Sequence, residues 1–349
     1  MNDSFLSRLH RVIDDTDFSG VVHIARAERM LYSRARGLAD RARGVPNTLD
    51  TQFAIASGTK GLTALAVMSL VAEGRLALDA TVESVLQGAG DLVDPAVTVR
   101  HLLAHTSGMG DYLDEGAIAD IGDHVLEVPV HHLASPADFL PLLRGRSAKF
   151  QPGTRFAYCN SGYVLLALVI EAVSGRSYYD VVKERVSAPA GMQATAFLRL
   201  DKLPDGAAIG YLPNRGWRTN DVHVPVRGAG DGGAYATAGD TARLWRALFA
   251  GQIVPLALVT EIVRPQHPVA PNSRGYGLGF WLTDDGEAVF LEGSDPGISF
   301  RSTFKPSTGL LYSVLSNTTS GAWPVVKEIE ALLAELSSDR PLSDREGAF

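Results

Sequence analysis

The stretch Phe53-Ala-Ile-Ala-Ser-Gly-Thr-Lys-Gly-Leu-Thr-Ala-Leu-Ala-Val-Met68 joins a short apolar lead-in to a segment dense in good helix formers. This composition predicts a helix that begins at Ser57 and ends near Glu73, just before Gly74. Lys60 follows Ser57 by three residues, so it lies one turn on along the same helix face.

Ser57 and Lys60 have the chemistry of a nucleophile and its base. A serine hydroxyl is a weak nucleophile, and a neighbouring lysine can accept its proton once the amine is neutral. Lys60 is the only charge between Asp50 and Glu73, and burying a lysine is costly unless it is paired or neutral. The helix N-terminus also offers N–H groups to a developing oxyanion. The alternative is an N-cap serine beside a solvated lysine, and the local pattern leaves both open.

Composition limits the classes of function. The 349 residues, 46% of them hydrophobic and 20% charged, indicate a globular chain of two domains or one large composite domain. A net charge of -7 makes nucleic acids and anionic membranes poor partners. Cys159 is the single cysteine, which excludes an intrachain disulfide and a cysteine-based metal cluster. With no signal peptide and no membrane-length apolar segment, we expect a cytoplasmic protein without a cofactor.

The order of elements is strands, then helices, then strands. An amphipathic first helix precedes two predicted strands, Gly20–Arg26 and Arg29–Arg34. Helices are predicted at 98–106, 161–173 and 178–186, and another is predicted to follow a capping box formed by Thr237 and Asp240. A meander of strands at 276–282, 288–291, 299–304 and 310–315 precedes a closing helix at 323–336. Residues 111–150 have no clear periodicity.

This order predicts an α/β (α+β) fold in which an antiparallel sheet is flanked by helices and carries an inserted, mainly helical lobe. The sheet lobe would comprise residues 1–73 and 211–349, the helical lobe residues 74–210, and the active site would lie between them.

Tyr158-Cys-Asn160 is the second candidate site, in a loop before the apolar helix. A tyrosine can shuttle a proton, and an asparagine two residues on can hydrogen-bond a substrate amide. The alternative is a packed tyrosine and a helix-capping asparagine.

Several motifs occur in a recognisable order: Ser57-Gly-Thr-Lys60, Leu102-Leu-Ala-His-Thr-Ser-Gly108, Gln151-Pro-Gly153 and Tyr158-Cys-Asn160. Together they resemble the serine β-lactamase and penicillin-binding-protein superfamily over nearly the whole chain. The resemblance is strongest to the class C-like branch, which contains class C β-lactamases, D,D-peptidases, D-amino-acid peptidases and amidases, and family VIII esterases. It implies a β-lactamase/transpeptidase-like fold.

The resemblance also implies a role for each site residue. Ser57 would be acylated, and its N–H would be one oxyanion donor. Lys60 would be its base or proton partner, and Tyr158 would carry the proton to the leaving group. Asn160 would hydrogen-bond Lys60 and the substrate. Which of Lys60 and Tyr158 is the acylation base stays open, because their titrations are coupled.

The third family motif departs from the pattern. Where the family has Lys-Thr-Gly or His-x-Gly, this chain has Leu291-Glu-Gly293. Gly293 keeps room for close backbone approach, whereas Leu291 removes the group that usually helps to bind a substrate carboxylate. Glu292 would attract a substrate amine if it faced the cleft, but alternation along the strand can also turn it away.

Other residues were weighed as site candidates. His101 and His105 lack the glutamate of a zinc-protease helix, so we predict no metal site. Four aromatic residues are candidates for lining an acyl pocket, with core packing as the alternative: Tyr112, Trp217, Tyr235 and Trp281.

We therefore expect a serine hydrolase that cleaves small esters or amides, carboxylesterase-like or a small-amide hydrolase. The runner-up is a β-lactamase, a D,D-carboxypeptidase or a D-amino-acid-specific peptidase acting on a short peptide. An acyltransferase and a non-catalytic penicillin-binding-like protein are further alternatives.

Overall fold

The computed structural model describes residues 3–118, 121, 125–268 and 273–338. Its strands are β1 (Gly20–Arg26), β2 (Arg29–Arg36), β3 (Leu38–Asp40), β4 (Val45–Pro46), β5 (Phe53–Ala54), β6 (Tyr235–Ala236), β7 (Gly275–Tyr276), β8 (Trp281–Leu282), β9 (Val289–Asp295), β10 (Ile298–Lys305) and β11 (Leu310–Ser316). Its α-helices are α1 (Asp3–Asp15), α2 (Thr59–Ala72), α3 (Val82–Val85), α4 (Val99–Leu103), α5 (Leu140–Leu143), α6 (Asn160–Ser174), α7 (Tyr178–Val182), α8 (Ala238–Phe249), α9 (Leu256–Ile262) and α10 (Ala322–Ser338).

Seven of these strands form one sheet in the order β2-β1-β11-β10-β9-β8-β7. All its pairings are antiparallel. β1 pairs with β11 along its whole length, from Gly20 opposite Ser316 to Arg26 opposite Leu310. The first hairpin of the chain therefore completes a sheet whose other strands come from its last quarter.

The sheet is covered on both faces, as the alternation along β1 shows. Val22 and Ile24 pack with α1 and α10 on one face, whereas Val21 and Ala25 belong to the larger core on the other. Successive strand residues point to opposite faces, so an apolar run such as that of β1 is buried on both sides.

Helix α2 is the centre of the larger core. Every residue from Thr59 to Leu70 is buried, and α2 packs against α6 and α7. A helix that is apolar all round belongs in an interior, which is where its sequence places it. The 3-10 turn Ala56–Gly58 leads into its N-terminal end and meets strand β9; it carries the candidate nucleophile Ser57 and is termed the nucleophile turn.

One local prediction was wrong. Residues 276–282 were predicted as one strand, but β7 and β8 form a tight hairpin in which Tyr276 lies opposite Trp281. Gly279, with a φ of 88°, allows the turn between them. The predicted 178–186 helix is helical over its whole range, first as α7 to Val182 and then as a π-helix at Lys183–Ser187.

The predicted capping box at the start of α8 forms only in part. The Thr237 hydroxyl accepts from the Asp240 N–H at 3.1 Å, as predicted. The Asp240 carboxylate does not complete the box; it accepts instead from the Ala194 N–H at 3.0 Å and from the Thr195 hydroxyl at 2.7 Å. A buried carboxylate thus ties α8 to the loop before β6.

Residues 74–210 contain α3 to α7 and several 3-10 turns. The described part of 111–150 holds only such turns and α5, which explains its lack of periodicity. The predicted lobe boundaries stay a prediction, and residues 339–349 of the predicted sheet lobe lie outside the described residues. Within the described ranges, no helix is both long and apolar enough to cross a membrane.

Candidate active site

The nucleophile turn lies between β5 and α2. Ala56–Gly58 forms a 3-10 turn that runs directly into the helix. Ala56 has a φ of 44°, a left-handed conformation that costs energy for a residue with a side chain and is characteristic of functional sites. Ser57 is partly exposed at this turn, and its N–H, at a helix start, has no intrahelical acceptor.

Lys60 lies buried beneath Ser57. Its Nζ is 2.9 Å from Ser57 Oγ, 2.7 Å from Asn160 Oδ1 and 2.7 Å from the Asp231 carbonyl oxygen. Three acceptors match the three N–H donors of an ammonium group. Burial lowers the pKa of Lys60, although nearby carboxylates, Asp231 foremost, act in the opposite direction. This environment suits a lysine that exchanges a proton with Ser57.

Tyr158 lies on the other side of the same nitrogen. Lys60 Nζ is 4.8 Å from the centroid of its ring. Burial raises the pKa of Tyr158 well above its usual value, opposed by a hydrogen bond with Ser57. The phenol is therefore protonated near neutral pH.

His105 positions Tyr158. The two ring centroids are 4.3 Å apart, and His105 Nδ1 accepts from the Cys159 N–H at 3.1 Å. His105 has a φ of 56°, and burial lowers its pKa well below the usual value, so the ring is neutral. His101 Nδ1 accepts from the Thr98 N–H at 3.2 Å. Both histidines thus have backbone partners.

Asn160 begins α6, and its amide is held at both ends. Its Oδ1 accepts from Lys60, and its Nδ2 donates to the Leu113 carbonyl at 2.9 Å. Asp111 fixes the helix end by accepting from the N–H groups of Asn160 at 2.9 Å and Ser161 at 2.8 Å. A carboxylate at a helix N-terminus is stabilised by the unpaired N–H groups there.

Strand β9 runs beside the nucleophile turn. A Cβ on Gly293 would lie 2.8 Å from Ser57 N, so only glycine permits this approach. Leu291 is 3% exposed and packs against Gly61 of α2. It lines neither of the two cavities at Ser57.

Glu292 points away from Gly293 and is already paired. Its carboxylate accepts from Arg301 Nε at 2.9 Å and from Arg274 Nη1 at 3.2 Å. The side chain borders a cavity, but its charge is neutralised by these two arginines.

Two cavities meet at Ser57. Tyr112, Phe139, Leu198, Tyr235 and Ile298 give the first a mainly apolar wall. Tyr158, Trp281 and Trp323 border the second, together with Glu115, Glu292 and Gly293. Of the four predicted aromatic residues, Tyr112 and Tyr235 line the first cavity and Trp281 the second, whereas Trp217 is 70% exposed and lines neither. An acyl group and a leaving group can therefore extend from Ser57 in different directions.

Comparison with known proteins places this geometry in a family. The sequence model described as Beta-lactamase matches residues 9–336. Esterase EstB of Burkholderia gladioli is 33% identical over 303 residues, which cover 74% of this chain and 73% of that protein. The chain belongs to the Beta-lactamase family.

Two further relatives agree with this assignment. Penicillin-binding protein 4* of Bacillus subtilis is 31% identical over 300 residues, covering 81% of this chain and 64% of that protein. A penicillin binding protein from Bacillus halodurans has a crystal structure that matches with a TM-score of 0.87 and 38% identity, over 93% of this chain and 99% of that one. The predicted superfamily and the β-lactamase/transpeptidase-like fold are confirmed, and the chain is a serine hydrolase of this superfamily.

Reasoning from the sequence missed a group of acidic side chains near Lys60. Asp111, Glu115, Asp231 and Asp295 all act electrostatically on Lys60. Asp111 and Glu115 lie in one loop after α4, Asp231 in the loop before β6 and Asp295 at the end of β9, so spacing in the sequence does not bring the three segments together. The one available signal was Asp295-Pro-Gly297, a turn after a predicted strand.

Proposed function

We propose that the chain hydrolyses small esters or amides without a carboxylate group, through an acyl-enzyme on Ser57. The charge of the cleft carries this proposal. Among the described residues no lysine or arginine side chain lines either cavity, whereas three carboxylates without an ion-pair partner do: Glu115, Asp231 and Asp295. Asp114 and Glu292 also border the second cavity, but they are paired with Lys149 and with two arginines. Like charges repel strongly in a partly desolvated cleft, so an anionic substrate would bind poorly there.

The strand beside the nucleophile supports the same conclusion. Leu291 replaces the cationic or polar residue of the family motif and is buried against Gly61. Similarity to an esterase over most of both chains also favours ester hydrolysis. A carboxylesterase-like or small-amide hydrolase therefore fits better than a β-lactamase or a D,D-carboxypeptidase, whose substrates carry a carboxylate.

Acylation would begin with the neutral form of Lys60. The Ser57 hydroxyl donates its proton to Nζ as Oγ forms a bond to the substrate carbonyl carbon. Burial lowers the pKa of Lys60 and raises that of Tyr158, which favours Lys60 as the acceptor. The negative charge that develops on the carbonyl oxygen is stabilised by the Ser57 N–H at the helix start.

The leaving group departs when its bond to the carbonyl carbon breaks. Its oxygen or nitrogen takes a proton from the Tyr158 hydroxyl, and Tyr158 regains one from Lys60. Water then adds to the acyl carbon, releases the acid, and returns a proton to Ser57 Oγ. The N–H groups and side chains involved are already in place, so little reorganisation is required.

Intact-protein mass spectrometry tests the proposal. The protein and its Ser57→Ala variant are exposed in parallel to a short-chain p-nitrophenyl ester, a fluorophosphonate and a penicillin. We expect ester turnover and a fluorophosphonate adduct that both require Ser57, with little penicillin adduct.

Each of the other outcomes has a defined meaning. A stable penicillin adduct would favour a penicillin-binding function, and rapid penicillin turnover a β-lactamase. Absence of any Ser57-dependent adduct would refute the nucleophile assignment. A cytoplasmic location is part of the same proposal, and cell fractionation tests it.

A further inference from the structure

Asp295 is the last residue of β9 and lines the mainly apolar cavity together with Ser57. Its side chain is partly buried. Within the described residues its carboxylate makes no hydrogen bond and no ion pair; the neighbouring charges act on it only through space. A partly buried carboxylate without a partner destabilises the folded protein. The position of Asp295 beside Ser57 therefore indicates that a bound molecule supplies the missing partner.

The other carboxylates near Ser57 are already engaged. Asp111 holds the N-terminus of α6, and Asp231 accepts from the Tyr112 hydroxyl at 2.5 Å. Glu292 is bound by two arginines, and Glu115 accepts from Asn160 Nδ2 at 3.2 Å. Asp295 differs from them because both of its oxygens are available to a bound molecule.

The position of Asp295 along β9 sets its reach. Gly293 and Asp295 are two residues apart on β9, so they point to the same face, the one that meets the nucleophile turn. Two strand residues span roughly 7 Å. If Gly232 carried a Cβ, that atom would lie 4.0 Å from Asp295 Oδ2 and 3.8 Å from the carbonyl group of Ala56. Asp295 and the residue before Ser57 therefore border the same small space. A group a few bonds from the attacked carbonyl therefore lies within reach of this carboxylate.

We propose that Asp295 is a specificity-determining residue that binds a substrate ammonium group. The preferred substrates would be esters or amides with a protonated primary amine a few bonds from the scissile carbonyl. This inference rests on the proposed hydrolase function and names its substrate class. It moves the amine-binding role that the sequence suggested for Glu292 to a carboxylate that forms no ion pair within the described residues.

The chemistry of the cavity agrees with such a substrate. An ammonium group would give Asp295 a charge-assisted hydrogen bond, the strong kind, and would restore the solvation that the carboxylate loses. Burial raises the pKa of Asp295 to about 7, and the charges of Glu115 and Asp231 act in the same direction. A bound cation reverses that effect by favouring the ionised form.

Two matched pairs of methyl esters test the inference. Alanine methyl ester, as separate D and L forms, is compared with methyl isobutyrate, and β-alanine methyl ester with methyl butyrate. Within each pair an ammonium group replaces a methyl group of similar size. The measured quantity is the ratio of kcat/KM between the charged and the uncharged ester at pH 7.5, which cancels any general loss of activity.

We expect the protein to prefer the charged member of at least one pair. In Asp295→Asn that ratio should fall roughly 10- to 100-fold, the value of a hydrogen bond to a charged group. Asp50→Asn removes the same charge from an exposed position outside the site and should leave the ratio unchanged.

Two results would overturn the inference and remain distinguishable from failure of the proposed function. If the uncharged esters are hydrolysed with no preference for the amine, or if Asp295→Asn keeps the preference, Asp295 does not select the substrate and the hydrolase function stands. If no ester is hydrolysed and the fluorophosphonate forms no Ser57 adduct, both proposals fail together.

Discussion

Replacing Asp295 by asparagine is expected to stabilise the protein at alkaline pH. Burial is the main cause that raises the pKa of this carboxyl to about 7; the charges of Glu115 and Asp231 act in the same direction, and Lys60 partly opposes them. In the unfolded chain the same group titrates near 3.8. The folded state therefore holds the proton over an interval in which the unfolded state has released it.

Stability falls across that interval as the pH rises. Below about pH 4 both states are protonated, and the carboxyl costs nothing. The free energy of unfolding decreases as the pH rises towards 7, and the full decrease is reached once the pH exceeds the pKa of Asp295 in the folded protein. Three pKa units correspond to about 4 kcal/mol as an upper limit. Because the side chain is partly exposed and solvent screens its charge, we expect about 2 kcal/mol.

Thermal unfolding followed by circular dichroism measures this effect. At pH 8.5 the Asp295→Asn variant should unfold about 3 °C above the parent protein, and near pH 4.5 the two midpoints should converge. Asp50→Asn, which removes an exposed charge, should show no such pH-dependent difference. If Asp295→Asn were equal to or less stable than the parent at pH 8.5, the carboxylate would have a partner that relieves it, and the reasoning would be refuted.

Three further predictions follow from other contacts. Gly293→Ala should lower kcat/KM for a p-nitrophenyl ester roughly 100-fold, because its Cβ would displace the nucleophile turn. A Cβ on Gly61 would meet side chains instead of backbone, Leu291 at 2.6 Å and Phe280 at 3.3 Å, so Gly61→Ala should lose far less; equal losses would contradict this. Burial of Cys159 raises the pKa of its thiol, so iodoacetamide should alkylate this residue only after the protein is unfolded in urea. Intact-protein mass measures the labelling, and rapid labelling of the folded protein would contradict the prediction. Arg301→Met should cost about 2 kcal/mol in urea unfolding, because Glu292 loses its buried partner and keeps only the exposed Arg274; an unchanged midpoint would show that the pair is dispensable.

The sequence predicted the elements whose signals are local. The apolar helix after Ser57, the hairpin at 20–36 and the three last strands carry periodicity or turn residues within a short window. The tight hairpin at 275–282 was missed because its two strands are only two residues long and the glycine turn between them was read as strand. Residues 111–150 gave no period because their described part folds as short turns and the single-turn helix α5.

In the candidate site, too, the local features were predicted from the sequence and the long-range contacts were not. The Ser57 and Lys60 pair lies within one helical turn, so its geometry followed from spacing. The acidic surroundings of Lys60 did not, because Asp111, Asp231 and Asp295 are brought together only by tertiary packing. In the sequence each of them resembles a solvated surface carboxylate. The pairing of Glu292 with Arg301 across two strands could not be read either, since it depends on the register of β9 against β10.

The pairing of β1 with β11 determines when the enzyme can be completed during synthesis. Strand β11 lies almost 300 residues after β1, and at ribosomal speed the chain between α2 and β11 takes on the order of 10 to 50 s to appear. During that time α6 and α7 can already pack against α2, but the turn that carries Ser57 lacks strand β9, which borders it in the folded protein. Closure of such a long-range antiparallel pair is slow. Newly made chains thus pass through a period in which the helical part of the site can form while its sheet wall is still missing.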